Sequence, residues 1–302
     1  MSAKVGQATS LEEYGDVMAA AMAGERPNHR PYEPATDEPK DVFIASWAKS
    51  GTTMTQQMFH QMRTAHAGGD MAFDDISRVV PWDDTAYLLD FDMTAPQRGA
   101  PRGFKSHREY ERLPEGHRYI VTLRDPKETY VSFYRFLNGW HLKRDSVRQE
   151  DFWPLWLGGG PGGCDYATHI TSWYARRAEA DTLLMSYKWV VKNRAEAIAR
   201  LADFIGVELS AEGAALVMER TGRDFMAAHK DRFDDGMFCK MLEEKCGISA
   251  DADSAKVQDK SSAADALPEV IADRIDALWA EKIAPVTGHA DYASLAAEVE
   301  AL

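Results

Sequence analysis

The sequence predicts one α/β domain, a central, mainly parallel sheet flanked by helices, with a helical C-terminal portion. Three observations predict it. Short runs of β-branched, aromatic and aliphatic residues occur at strand length, helical patterns follow most of them, and the chain beyond about residue 208 is almost all helical in pattern.

The elements follow in order. Ser10-Leu11-Glu12-Glu13 has capping-box spacing and opens a helix that runs to Ala23, with Gly24 as its stop. Residues 26–40 carry Pro27, Pro31, Pro34 and Pro39 and read as an extended connector. Residues 41–46 read as a buried strand, and a helical pattern runs from Met54 to about Ala67. Further strands are expected at 102–105, 119–123 and 182–187. Helices are expected to begin near Pro126, where a first-turn proline is favoured, and near Asn193. The chain closes with helices over 267–283 and 291–301. There is no internal repeat. Residues 249–266, rich in Ala, Ser, Asp and Lys, read as a mobile loop, and the glycine run 158–163 as a turn. The expected division is a leading segment, 1–40, and a domain over 41–302.

Composition narrows the function. The 302 residues carry a formal charge of −13 with acids and bases interspersed. Nucleic acid and anionic membranes both require a basic face, so neither is expected as a partner. Any site for a polyanion must be built from local basic residues. Cys164, Cys239 and Cys246 are too few for a disulfide framework and read as buried thiols of a reducing compartment. The first residues lack the apolar stretch of a signal peptide, and no apolar run approaches the roughly 18 residues that span a bilayer. The expectation is a cytoplasmic protein.

The sharpest local signal is the turn Ala48-Lys49-Ser50-Gly51-Thr52-Thr53 between a strand and a helix. A helix N-terminus presents unpaired N–H groups at the positive end of its dipole. Gly51 admits close approach of the backbone, the hydroxyls add donors, and Lys49 adds a full charge, so the turn reads as an anion cradle. It is not a Walker A loop, because the lysine precedes the glycine. Two more strand ends carry suitable groups. Residues 119–123 end in Arg124-Asp125-Pro126, with Ser132 two helical turns on, and another strand ends in Lys105-Ser106-His107. In a parallel sheet these would meet at one edge, where such folds bind ligands.

These segments resemble the cytosolic-type PAPS-dependent sulfotransferases. The family loop has the form YPKSGTTW, its second motif is Arg-(Asn/Asp)-Pro followed by a serine, and its histidine lies in Lys-Thr-His. This sequence reads Trp47-Ala48-Lys49-Ser50-Gly51-Thr52-Thr53-Met54, Arg124-Asp125-Pro126 with Ser132, and Lys105-Ser106-His107. The resemblance implies a P-loop-like fold and transfer of a sulfuryl group from PAPS to a small hydroxyl-bearing acceptor, leaving PAP, with no metal required. It implies that His107 is the general base and that Lys49 and Lys105 stabilise charge on the transferring group. Lys49, Ser50, Gly51, Thr52 and Thr53 would hold the 5′-phosphosulfate side, Arg124 and Ser132 the 3′-phosphate, and Tyr187 and Thr221 the base, with Met54 in the place of the family tryptophan that stacks on adenine. Ser132 is counted with the catalytic set as well.

Three positions depart from the family. Met54 replaces a tryptophan, Thr221-Gly222-Arg223 stands where Thr/Ser-Ser-Phe is usual, and the stretch 256–261 lacks the family's Arg-Lys-Gly. Lys256 or Lys260 would substitute there as point charges, and Arg223 would stack through its guanidinium. Aromatic residues at helical spacing are ordinarily core. Trp82 and Phe136 are also candidates for an apolar acceptor pocket. The other eight histidines read as surface or packing residues. Two alternatives stand beside transfer: an ATP-dependent P-loop-like phosphotransferase, which needs Mg²⁺ ligands near the loop, and a nucleotide-binding protein without catalysis. The acceptor's identity and homodimer formation are left open.

Overall fold

A computed structural model describes residues 4–35, 39–159, 164–254, 256 and 267–302. Four strands, β1 (Val42–Ile44), β2 (Gly103–Lys105), β3 (Arg118–Leu123) and β4 (Thr182–Ser186), form one sheet in the order β2-β1-β3-β4. All pairings are parallel: Ile44 lies beside Lys105 on one side and Ile120 on the other, and Leu123 beside Ser186. The strand ends that carry Lys49, His107, Arg124 and Tyr187 therefore share one edge. The chain leaves central β1 towards β2 and returns past it to β3, so a crevice opens beyond the end of β1.

Helices cover both faces. The first half of the chain supplies α1 (Leu11–Met22), α2 (Thr52–Thr64), α3 (Pro126–Leu137), α4 (Trp153–Leu157) and α5 (Tyr166–Ala175). The second supplies α6 (Tyr187–Lys192), α7 (Arg194–Ile205), α8 (Ala211–Arg220), α9 (Arg223–Ala228), α10 (Gly236–Cys246), α11 (Glu269–Leu278), α12 (Ala284–Thr287) and α13 (Tyr292–Ala301). Alternation within β1 sends Phe43 into a core with Phe104, Tyr119 and Trp173. Val42 and Ile44 join an opposite core with Phe59, Met62 and Leu201. No helix among the described residues is long and apolar enough to cross a membrane.

The elements differ from expectation where side chains compete with the ladder. The strand expected over 182–187 stops at Ser186, whose Oγ accepts from Trp189 N–H, so Tyr187 opens α6 instead of ending the strand. The helix expected over 267–283 is interrupted by a wide turn at Trp279–Ile283 before α12. Pro285, at the start of α12, lacks the N–H that would continue the α-helical ladder. Helix α1 packs on α10, with the Cys246 thiol donating to the Val17 carbonyl at 3.3 Å. All three cysteines are free and buried. Of the stretches 158–163 and 249–266, only 158–159, 249–254 and 256 lie within the described residues, and Lys260 lies outside them.

Candidate active site

The turn after β1 is held by backbone conformation and a buried hydroxyl chain. Lys49 (φ 65°) and Gly51 (φ 96°) both take the left-handed region, which winds the chain from β1 into α2. A Cβ on Gly51 would stand 2.5 Å from the Tyr187 ring, so only glycine fits there. The Thr122 hydroxyl donates to the Ser50 carbonyl (2.7 Å), which makes its oxygen the acceptor for the Ser46 hydroxyl (2.7 Å). Ser46 Oγ in turn accepts from Thr122 N–H (2.8 Å). The ends of β1 and β3 are thereby clipped to the turn. Ser50 Oγ and Thr52 Oγ1 are buried without a hydrogen-bond partner among the described residues. They lie beside the first N–H groups of α2, which no helical carbonyl can reach. Unmet buried donors in that position fit an anion such as a phosphate oxygen.

The turn after β2 is fixed by Asp84. Its carboxylate accepts from His107 N–H (2.6 Å), Trp82 Nε1–H (3.0 Å) and Ser106 Oγ–H (3.3 Å), and Arg108 Nε lies 2.9 Å away. His107 Nδ1 meets the Ser46 carbonyl at 2.5 Å. A carbonyl can only accept, so the proton sits on Nδ1 and Nε2 keeps the lone pair. No described residue bonds Nε2. Burial, then the nearby Lys105 cation, pushes the imidazole pKa well below its usual value, so the ring is neutral at pH 7.

The cationic groups are each supported by a ring. The Lys49 ammonium lies 3.8 Å from the centroid of Phe136, and the Lys105 ammonium 3.3 Å from that of Trp82. Burial, and then the Lys256 cation, lowers both lysines to about 7. Arg124 stacks on Tyr187 (4.8 Å), donates to the Lys49 carbonyl (2.7 Å) and pairs with Glu128 (3.1 Å). Lys188 holds the other Glu128 oxygen at 2.7 Å.

A cavity of about 410 Å³ joins these groups. Of the residues expected from sequence, Lys49, Gly51, Thr52, Thr53, Met54, Trp82, Lys105, His107, Arg124, Ser132, Phe136, Tyr187 and Thr221 all line it, and Ser50 lies just behind the wall. The Thr221 hydroxyl is turned back onto the Val217 carbonyl (2.7 Å), so that residue reaches the cavity with its other atoms. Lys256 and Arg223, noted at the family's points of departure, line it too. Sequence reasoning missed Arg135, Arg194 and Asp235 in the wall and Asp84 behind it. Among the described lining residues seven are basic and one, Asp235, is acidic. A basic enclave in a chain of charge −13 meets the requirement for a polyanion site.

A family described as Sulfotransferase domain matches residues 39–284. This chain belongs to that family. Among relatives of this sulfotransferase-family protein is the rabbit (Oryctolagus cuniculus) amine sulfotransferase, 28% identical over 178 residues, which cover 57% of this chain and 58% of that one. Sulfotransferase 2A1 of Macaca fascicularis is 23% identical over 225 residues, covering 70% and 77%. The match to the rabbit protein thus spans less than two thirds of its length. Retinol dehydratase, solved with androsterone and inactive cofactor PAP, superposes with a TM-score of 0.63 at 19% identity, covering 80% of each chain. Mouse sulfotransferase SULT7A1, solved with PAP, gives 0.55 at 16% identity, covering 86% and 87%. These likenesses establish the fold, a P-loop-like sheet flanked by helices.

Proposed function

We propose that the protein transfers a sulfuryl group from PAPS to a hydroxyl of a small aromatic or hydrophobic acceptor, with His107 as general base. The observation that carries the proposal is the His107 tautomer: with Nδ1–H bound to Ser46, Nε2 is a basic atom in the same cavity as the Lys49 and Lys105 ammonium groups. Solved relatives of the same fold that hold PAP support the choice of nucleotide. Bound PAPS supplies the activated sulfuryl group and leaves as PAP. His107 Nε2 takes the acceptor's proton as the new S–O bond forms. Lys49 then neutralises the electron pair left on the bridging phosphate oxygen, and Lys105 the charge on the sulfuryl oxygens. The turn N–H groups, Ser50, Thr52 and Thr53 receive the 5′-phosphate. Arg124 and Ser132 receive the 3′-phosphate, while Met54, Tyr187 and Thr221 flank the base. Trp82 and Phe136 form the acceptor's apolar wall while also bearing the two lysines. Residues 41–302 are read as the catalytic domain, and 1–40 as a leading segment that packs on it through α1.

The test is transfer of labelled sulfuryl from PAPS to a panel of phenols, sterols and aliphatic alcohols. Product with at least one phenol or sterol supports the proposal. Binding of PAP without any transfer contradicts it and favours a non-catalytic nucleotide-binding protein.

A further inference from the structure

Asp235, the acid among the basic lining residues, is 3% exposed and immediately precedes α10. An aspartate there ordinarily accepts from the first-turn N–H groups of its own helix. This one makes no such bond, and the residue lines the cavity. Oδ1 pairs with the Lys256 ammonium at 2.5 Å. Oδ2 has no hydrogen-bond partner among the described residues. A buried carboxylate oxygen with unmet lone pairs is costly, so the site is built to receive a donor.

The surroundings place that donor at the acceptor's end. Phe238, three residues on in α10, lies 6.2 Å from Trp82, whose ring stands edge-on to His107 at 5.2 Å. A single indole therefore bridges the basic imidazole and the element that carries Asp235. On its other side Phe238 stacks with His141 (6.1 Å, 12°) and meets Trp140 at 5.6 Å. Away from the lining, both ring nitrogens of His141 and Nε1 of Trp140 are also buried without hydrogen-bond partners among the described residues. The cavity itself is lined by Trp82, Phe133 and Phe136, and aromatic walls with a few convergent polar atoms are the usual make-up of a small-molecule subsite.

We infer that Asp235 determines acceptor specificity: Oδ2 accepts a hydrogen bond from a second donor group on the acceptor, a hydroxyl or an ammonium, other than the hydroxyl that His107 deprotonates. This rests on the reading of the cavity as a sulfuryl-transfer site for small aromatic acceptors. An acceptor without the second group buries Oδ2 unpaired, and sites built to bond a substrate O–H or N–H discriminate against analogues lacking it far more strongly than apolar pockets do.

Three phenols of nearly equal shape test it: 4-propylphenol, tyrosol and tyramine, whose side chains end in methyl, hydroxyl and ammonium. Their kcat/KM values are measured with the intact protein and with Asp235→Asn and Asp235→Leu, together with each variant's PAP affinity. The wild type is expected to favour tyrosol and tyramine over 4-propylphenol by at least ~10-fold. Asn, whose amide oxygen still accepts, keeps tyrosol and loses part of the preference for tyramine, whereas Leu brings all three within about 2-fold. PAP binding by the variants shows that they are folded, and any change in it applies equally to the three acceptors. A wild type without preference overturns the inference. So does a variant that raises the KM for PAPS but leaves the acceptor ratios intact, because Asp235 would then only hold Lys256. A wild type that transfers to none of the three, yet does transfer to another phenol or sterol, overturns the Asp235 assignment while sparing the transfer reading. Failure on every phenol and sterol overturns both.

Discussion

Two parts of the cavity wall are assembled differently, the turns at the strand ends and the wall around Trp82 and Asp235. In the first, each group stands within a few residues of a strand terminus: Lys49 after β1, Lys105 and His107 at and after β2, Arg124 after β3 and Tyr187 after β4. Backbone geometry and the bonds from the Ser46 hydroxyl to that of Thr122 and on to the Ser50 carbonyl fix the turns after β1 and β3. In the second, Trp82 and Asp235 come from connecting turns: Asp235 pairs with Lys256, and Trp82 meets Phe238 of α10, which packs on His141 and Trp140. A parallel sheet thus gathers basic groups at one edge almost as a consequence of its topology, while the wall around Trp82 and Asp235 is left to loops.

The largest expected effect separates chemistry from donor binding. His107→Ala should lower kcat by ~10²- to 10⁴-fold and leave the Kd for PAP nearly unchanged, because in the proposed reaction the ring takes the acceptor's proton and does not hold the nucleotide. Full activity in that variant would remove the base assignment. Next comes Gly51→Ala, which places a methyl against Tyr187 in a left-handed backbone. PAP binding should weaken by about 10- to 100-fold, on the basis of a left-handed penalty of about 1–2 kcal/mol plus the clash. Unfolding free energy should drop alongside it, and adding Tyr187→Ala should recover part of that drop. No recovery would show that the contact is not the cause.

A pH series reads the two lysines. Both are held near 7 by burial and the Lys256 charge, and bound phosphates must raise them. The free protein therefore loses ammonium groups above pH 7 that the complex retains. PAP affinity should be full below about 7 and fall as pH rises, by up to ~10-fold per unit for each lysine. Calorimetry in buffers of different ionisation enthalpy should show proton uptake on binding at pH 8 and little at pH 6. A flat profile would contradict the lysine assignment. The smallest effect is expected from Thr122→Val, which removes a donor to Ser50 and an acceptor for Ser46. Unfolding free energy should drop by about 1–2 kcal/mol, with PAP affinity reduced alongside it.

The same contrast explains what could be read from the sequence. Lys49, Arg124 and His107 were legible because a turn motif and the strand before it are neighbours in the chain, and parallel topology does the rest. The parallel sheet, the shared edge of its strand ends and the helical C-terminal portion followed from local pattern, whereas the strand order came only from the fold. Asp84 was not legible, because its role is to receive the N–H of His107, a contact across 23 residues of irregular chain. Asp235 was not legible either, because only the fold brings it to the cavity and shows that its carboxylate makes no cap bond with α10. Tyr187 was assigned to a strand and opens a helix, yet it lines the cavity either way, since both placements put it at the same sheet edge. Trp82 and Phe136 showed their aromatic character in the sequence but not the lysine that each carries on its face.

Titration of PAP against AMP, on the wild type and on Arg124→Ala, tests the central claim most directly. If Lys49, His107 and Arg124 converge on one nucleotide cavity, PAP should bind the wild type far more tightly than AMP, and the variant should lose most of that difference while its AMP affinity changes little. Equal affinities for the two nucleotides in the wild type would mean that no part of the cavity recognises a 3′-phosphate, and the proposed donor would be wrong.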